Sequence, residues 1–280
     1  MKIEKAGKIG FCFGVTSAIG ILEKEACARG GIETLGAVVH NEQVLQRLAK
    51  MGVRIAKNID DIKGGVVVTS SHGVGPQLKE QLAARQIEII STTCPFVRRA
   101  QMAARRLAEA SFVVVVYGES EHPEVRGILG WANGKGIATT DKQFTINPPP
   151  RRLGVLSQTT QIPVEFAEFV KGLVGSTLGK DSEIRIIDTI CHDIRERQTA
   201  ALELAGKADV MMVIGGRTSA NTRHLVELCS AATQTYQVET AADIQPEWLK
   251  GKKHVGITSG ASTAEETVDE VASRLEALAG

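Results

Sequence analysis

Apolar positions along the chain form short runs separated by stretches with helical spacing, and this alternation recurs three times. Around Cys12 a short apolar run over 8–11 is followed by Val15, Ala18, Ile19, Leu22 and Ala26 at helical spacing, closed by Gly30 and Gly31. The order predicts strand, cysteine, helix. It recurs at Cys94, where 87–90 is strand-like, Pro95 suits a first helical turn, and Val97, Ala100, Ala104, Leu107 and Ala108 mark one face. At Cys191 the run 184–187 precedes the cysteine, and Ala200, Ala201, Leu204 and Ala205 follow it.

Each of these helices leads into a second predicted strand (34–39, 112–117 and 210–214) that opens into a polar loop. The first polar anchors there are His40, His122 and Ser219, and each stands 28 residues beyond its cysteine (40 − 12, 122 − 94 and 219 − 191). Amphipathic stretches follow the anchors (44–50, 125–131, 222–230), then third strands with hydroxyl-rich exits (66–72, 153–159, 255–262), then further helices (77–85, 164–174, 264–278). The chain therefore reads as three copies of a unit of roughly 90 residues, and alternating strands and helices favour parallel sheets covered by helices. The expected fold class is α/β, with modules at 1–93 (Cys12), 94–187 (Cys94) and 188–280 (Cys191). Every cysteine and anchor falls at the carboxyl end of a predicted strand, where open parallel sheets bind ligands.

Composition narrows the function classes. With 280 residues, 43% of them hydrophobic, the chain can bury a large core. Its 33 basic and 32 acidic residues leave a net charge of +1 with no long run of either sign, so neither nucleic acid nor a membrane surface is an expected partner. No 18-residue apolar segment occurs, and the first fifteen residues lack an apolar stretch ending in a cleavage site, so a cytoplasmic location is expected. Five cysteines, an odd number, do not read as a disulfide framework.

Cys27 and Cys229 read as small buried hydrophobes within helices. Cys12, Cys94 and Cys191 differ, because each precedes a helix whose N-terminal partial charge stabilises a thiolate. Three thiolates can serve zinc or an iron-sulfur cluster, and no C-x-x-C spacing decides between them. Zinc would make a phosphate-ester hydrolase conceivable; a four-iron cubane with three ligands would leave one iron open. His40, His72, Ser219, Asn221 and Ser262 are donors at strand ends just before helices, the arrangement of an anion site suited to phosphate or diphosphate. Glu124, two residues beyond His122, becomes a proton donor if burial raises its pKa. No dinucleotide or P-loop fingerprint is present.

The motifs GFCFGV (10–15), VHN (39–41), SHGV (71–74), TCP (93–95), HPEV (122–125), QTT (158–160), TIC (189–191) with Arg197 and Gln198, SAN (219–221) and GAS (260–262) span the whole chain. In this order they resemble the family of 4-hydroxy-3-methylbut-2-enyl diphosphate reductases, which act last in the non-mevalonate isoprenoid pathway. The resemblance implies a pseudo-threefold trefoil of α/β modules around one [4Fe-4S] cluster per chain, ligated by Cys12, Cys94 and Cys191, with the substrate hydroxyl on the open iron. It further implies a diphosphate held by His40, His72, Ser219, Asn221 and Ser262, with His122 close by, and protons relayed by Glu124 and Thr159. The products would be isopentenyl and dimethylallyl diphosphate plus water. With no second cofactor motif, a ferredoxin or flavodoxin type donor is expected, and the chain would act as a monomer or homodimer. The family usually has a serine where Ala220 stands, and the residues after Cys12 (Thr16, Ser17) and Cys191 (His192, Asp193) also depart from its habit. Ala220 favours the alternative of a non-catalytic, cluster-containing diphosphate-binding paralogue.

Overall fold

The fold is known from a computed structural model that describes every residue except His40, Lys135, Gly179, Lys180 and Gly280. In chain order the elements begin with β1 (Lys2–Lys5), α1 (Phe13–Arg29), β2 (Ile32–Leu35), α2 (Glu42–Lys50), β3 (Val53–Ala56), β4 (Val66–Thr69), α3 (Pro76–Ala84) and β5 (Glu88–Ser91). They continue with α4 (Pro95–Glu109), β6 (Val113–Tyr117), α5 (Pro123–Trp131), β7 (Gly136–Thr139), β8 (Arg152–Ser157), α6 (Pro163–Thr177), β9 (Glu183–Ile186) and α7 (His192–Ala205). The last are β10 (Val210–Ile214), α8 (Ala220–Ser230), β11 (Gln234–Val238), β12 (His254–Ser259) and α9 (Glu265–Ala279).

Among the described residues the strands form three four-stranded sheets ordered β3-β2-β4-β5, β7-β6-β8-β9 and β11-β10-β12-β1, and every pairing is parallel. The fold class is thus α/β with three similar modules, since one strand order recurs in all three sheets. By contact the residues fall into two compact units. One comprises Met1–Thr16, Val39–Arg47 and His192–Gly280, and the other Ser17–Val38 and Leu48–Cys191.

Central strands are apolar on both faces, as parallel sheets covered on both sides require. In β6 the period of two is plain: Val114 and Val116 pack with Ala104, Leu107 and Ile128, while Val115 and Tyr117 pack with Phe166, Phe169 and Leu173. In β10, Met212 and Ile214 face Val268 and Val271, while Met211 and Val213 face Leu204 and Leu225.

Two expectations need correction. The apolar run 8–11 is not a strand; β1 lies earlier and pairs with β12, so the chain start completes the sheet built by residues 210–259 rather than opening a first module. The reason is local: Gly10 has φ +76, a conformation outside the strand region, its N–H donates to Ser259 Oγ at 2.9 Å, and Ile9 packs into the core as a loop residue. In addition, the edge strands β3, β7 and β11 were not anticipated. Their sequences VRIA, GIAT and QTYQV are short and poor in large apolar residues, which gives a pattern reading little to hold.

Candidate functional site

In all three copies the cysteine backbone is tied to the exit of the third strand of a sheet. The N–H of Cys12 donates to Ala261 O at 3.0 Å, that of Cys94 to Ser71 O at 3.0 Å, and that of Cys191 to Thr159 O at 2.9 Å. Each cysteine then starts a helix, and Thr16 N–H and Arg98 N–H return to the carbonyls of Cys12 and Cys94 at 3.0 and 2.9 Å. The sequence equivalence of the three cysteines is therefore also a hydrogen-bond equivalence.

Within the unit containing Cys94 and Cys191, the predicted residues form one connected set. His122 caps α5, its Nδ1 accepting the Glu124 N–H at 3.2 Å, and Pro123 supplies the fixed φ of a first helical position. Glu124 is 2% exposed, and its carboxylate takes two donors from one residue: Thr159 N–H at 2.6 Å and Thr159 Oγ–H at 2.8 Å. Because Thr159 O also accepts from Cys191, a single residue links the acid to the cysteine. Burial raises the Glu124 pKa to about 7, and the two bonds from Thr159 oppose that rise. The carboxyl is removed from water, yet held by donors that favour its charged form.

The His72 ring meets His122 edge-on, 5.3 Å between centroids, and its Nδ1 lies 3.4 Å from Ser70 Oγ. His72 directly follows Ser71, the partner of Cys94. The turn at Gly73 has φ +70, and a Cβ there would meet Gln101 Nε2 at 2.5 Å and Thr93 Cγ2 at 2.8 Å, so glycine is required for the loop to close on α4.

In the other unit, Ser219 caps α8 by accepting Thr222 N–H at 3.4 Å. Asn221 is 4% exposed, and both its Oδ1 and Nδ2 are buried without a hydrogen-bond partner among the described residues. Leaving a buried amide unpaired costs about 1–3 kcal/mol unless a water or a polar ligand pairs with it. Ala220, beside it, is buried at 2% exposure. Ser262 is also buried, and its carbonyl accepts Asn41 Nδ2 at 2.9 Å. Asn41, just before α2, accepts Val44 N–H at 3.1 Å, a cap legible in the sequence. Arg197, fully buried, donates to Gly10 O at 3.0 Å and Ser259 O at 2.9 Å and so fastens the Cys12 loop to the end of β12. His40 lies outside the described residues.

All five cysteines are thiols. Burial raises the pKa of Cys12, against which the N–H groups of Val15 and Gly14 act. Cys229 is buried and its thiol pushed up to about 11, as an inert core residue should be. Cys27, expected to be buried, is exposed instead. Cys12, Cys94 and Cys191 are each a reduced thiol at a helix start, backbone-anchored alike, and thiolate is the donor type that iron-sulfur clusters take. Among the described residues no group of three His, Cys, Asp or Glu side chains is placed to hold a metal ion. No helix among the described residues is long and apolar enough to cross a membrane.

Comparison with known proteins identifies the chain's relatives. A model of the LytB protein family matches residues 3–276. The 4-hydroxy-3-methylbut-2-enyl diphosphate reductase of Dehalococcoides mccartyi is 59% identical over 99% of each chain, and that of Geobacter metallireducens 39% identical over 99% of this chain and 98% of its own. A solved structure of (E)-4-hydroxy-3-methyl-but-2-enyl diphosphate reductase, the terminal enzyme of the non-mevalonate pathway, is 36% identical and covers 99% of this chain and 100% of that chain with a TM-score of 0.69. The E-1-hydroxy-2-methyl-but-2-enyl-4-diphosphate reductase from Plasmodium falciparum is 26% identical and covers 100% of this chain and 88% of that chain, with a TM-score of 0.91.

Proposed function

The chain belongs to the LytB protein family, and from that premise we propose that it reductively dehydroxylates 4-hydroxy-3-methylbut-2-enyl diphosphate to isopentenyl and dimethylallyl diphosphate. The observation that carries the reading is the connected set Cys191, Thr159, Glu124 and His122, which joins a cluster-type cysteine to a buried acid with a pKa of about 7.

One [4Fe-4S] cluster would be held by Cys12, Cys94 and Cys191. When bound, it supplies electrons singly and a Lewis-acidic open iron. The chain's own residues do the rest. Glu124 holds a proton in its buried carboxyl near neutral pH and is the donor to the departing hydroxyl, so that water leaves in place of hydroxide. Thr159 orients that carboxyl with two bonds and steadies the carboxylate once the proton has gone. His72, His122, Ser219, Asn221 and Ser262 would bind the diphosphate, and the unsatisfied amide of Asn221 supports that assignment. Over a turnover, two electrons and two protons are consumed and one water is released. The electrons must come from outside, from a carrier of the ferredoxin or flavodoxin type.

Incubating anaerobically prepared protein with the allylic diphosphate, dithionite and a viologen should yield both five-carbon diphosphates. Iron and sulfide without turnover would leave only the reading as a diphosphate-binding paralogue.

A further inference from the structure

Three equivalent helices follow the three proposed cluster ligands, and their exposed faces differ in charge. On α1 the residues from Phe13 to Gly20 carry no charge at all. On α7 the exposed charged residues are Glu196 and Glu203, with His192 at the start. On α4 the exposed face carries Arg98, Arg99, Arg105 and Arg106 against a single acid, Glu109, which pairs with Arg105 at 2.7 Å. Seven-residue spacing puts Arg98 above Arg105 and Arg99 above Arg106, with the half-buried Met102 between the two rows.

The macrodipole favours Arg106 in the last turn of α4, but it opposes Arg98 and Arg99 near the N-terminus, where no acidic residue offsets them; Arg99 Nη2 donates to Asp188 O at 3.4 Å. Overall charge does not explain this face, since the chain is nearly neutral at +1. The cationic face starts one turn from Cys94, whose carbonyl accepts the Arg98 N–H at 2.9 Å. At its far end it meets Trp131, flanked by Arg105 at 5.8 Å and Lys79 at 5.4 Å from the ring centroid, beside a cavity of about 470 Å³ whose lining mixes these cations with Glu80 and Glu109, so the cationic excess lies at the Arg98 and Arg99 end. Arginine, tryptophan and methionine are the residues enriched where proteins dock, and a patch of one sign steers a partner of the other.

We infer that the exposed face of α4, centred on Arg98, Arg99, Arg105 and Arg106, is the docking surface for the electron donor, a small carrier protein with a carboxylate-rich surface around its one-electron centre. The inference rests on the reductase reading, which requires such a donor. Two reduced carriers are each oxidised by one electron per turnover, and with two protons these electrons replace the carbon–oxygen bond by carbon–hydrogen and release water.

The test compares two donors on the holoenzyme: a reduced acidic [4Fe-4S] ferredoxin and reduced methyl viologen. In an Arg98→Glu/Arg99→Glu variant the KM for ferredoxin should rise tenfold or more at low ionic strength while viologen-driven turnover stays at the wild-type level. Added salt should weaken ferredoxin-driven turnover in the wild type and much less in the variant. Arg105→Gln/Arg106→Gln is the milder second variant should the first not fold, with a smaller rise expected. A Lys24→Glu/Arg29→Glu variant on α1 should leave both rates unchanged. An unchanged ferredoxin KM in both α4 variants, an equal rise in the α1 variant, or a parallel fall with viologen would each overturn the docking assignment. Wild-type protein that does not turn over even with viologen would instead overturn the reductase reading.

Discussion

Replacing Thr159 by valine removes one hydroxyl from the carboxyl of Glu124 while keeping the side chain's shape and the Thr159 N–H. That hydroxyl donates at 2.8 Å to a carboxylate with almost no contact with water. A hydrogen bond to a charged group contributes about 1.5–3 kcal/mol, and one pKa unit corresponds to about 1.4 kcal/mol. Since the bond favours the ionised form, its loss should raise the Glu124 pKa by about one to two units above its present value of about 7. The sign for activity follows directly. If Glu124 must be protonated to donate, kcat falls as pH rises through its pKa, and in the variant that basic limb should move to higher pH by the same amount. The assay is viologen-driven turnover under anaerobic conditions from pH 5.5 to about 9.5, with saturating substrate so that kcat is read. The plateau height will drop as well, because the hydroxyl belongs to the proposed proton relay; only the limb's position reports the pKa. Thr159→Ser, which keeps the hydroxyl, should restore the limb. A basic limb that stays in place in Thr159→Val would refute the assignment of Glu124 as the titrating donor.

Three further outcomes are expected. Glu124→Gln should retain the cluster and pyrophosphate affinity but lose about a hundredfold or more of turnover. The same variant should gain stability above pH 7, because a folded pKa raised from 4.5 to about 7 makes native stability fall with rising pH between those values, by up to about 3 kcal/mol; denaturant unfolding at pH 5 and pH 8 measures it. Asn221→Ala should weaken inorganic pyrophosphate binding by about tenfold in calorimetry while leaving the melting temperature of the unliganded protein equal or higher, since it removes two buried unpartnered atoms. Gly73→Ala should lower stability by about 1–3 kcal/mol, because the new Cβ collides with Gln101 and Thr93 at a left-handed position; a melting temperature equal to wild type would show that the loop can yield.

Much of the architecture could be read from the chain because each central strand is an apolar run and each helix has a defined face. The 28-residue spacing from cysteine to anchor linked three loops far apart in sequence; the likeness of the three cysteines also shows in hydrogen bonds, which run to third-strand exits and not to the anchors. Sheet membership was less legible. Pairing of β1 with β12 joins residues at opposite ends of the chain, and no local pattern carries such a contact. The edge strands escaped because an edge needs little burial: β7 has no fully buried residue. Within the site, Glu124 was visible as an acid beside His122, but the two bonds from Thr159 that set its pKa depend on the end of β8 meeting the start of α5. Arg197 showed only as part of a motif, and its burial against the Gly10 and Ser259 carbonyls is a purely tertiary fact.

Cys12, Cys94 and Cys191, and not Cys27 or Cys229, are proposed to hold the redox centre. Iron and acid-labile sulfide, counted in anaerobically purified protein, test this assignment most directly. About four of each per chain are expected in the wild type and in Cys27→Ser and Cys229→Ser, with the count falling well below that in Cys12→Ser, Cys94→Ser and Cys191→Ser. Full iron and sulfide in any of these last three, or zinc without sulfide in the wild type, would contradict it.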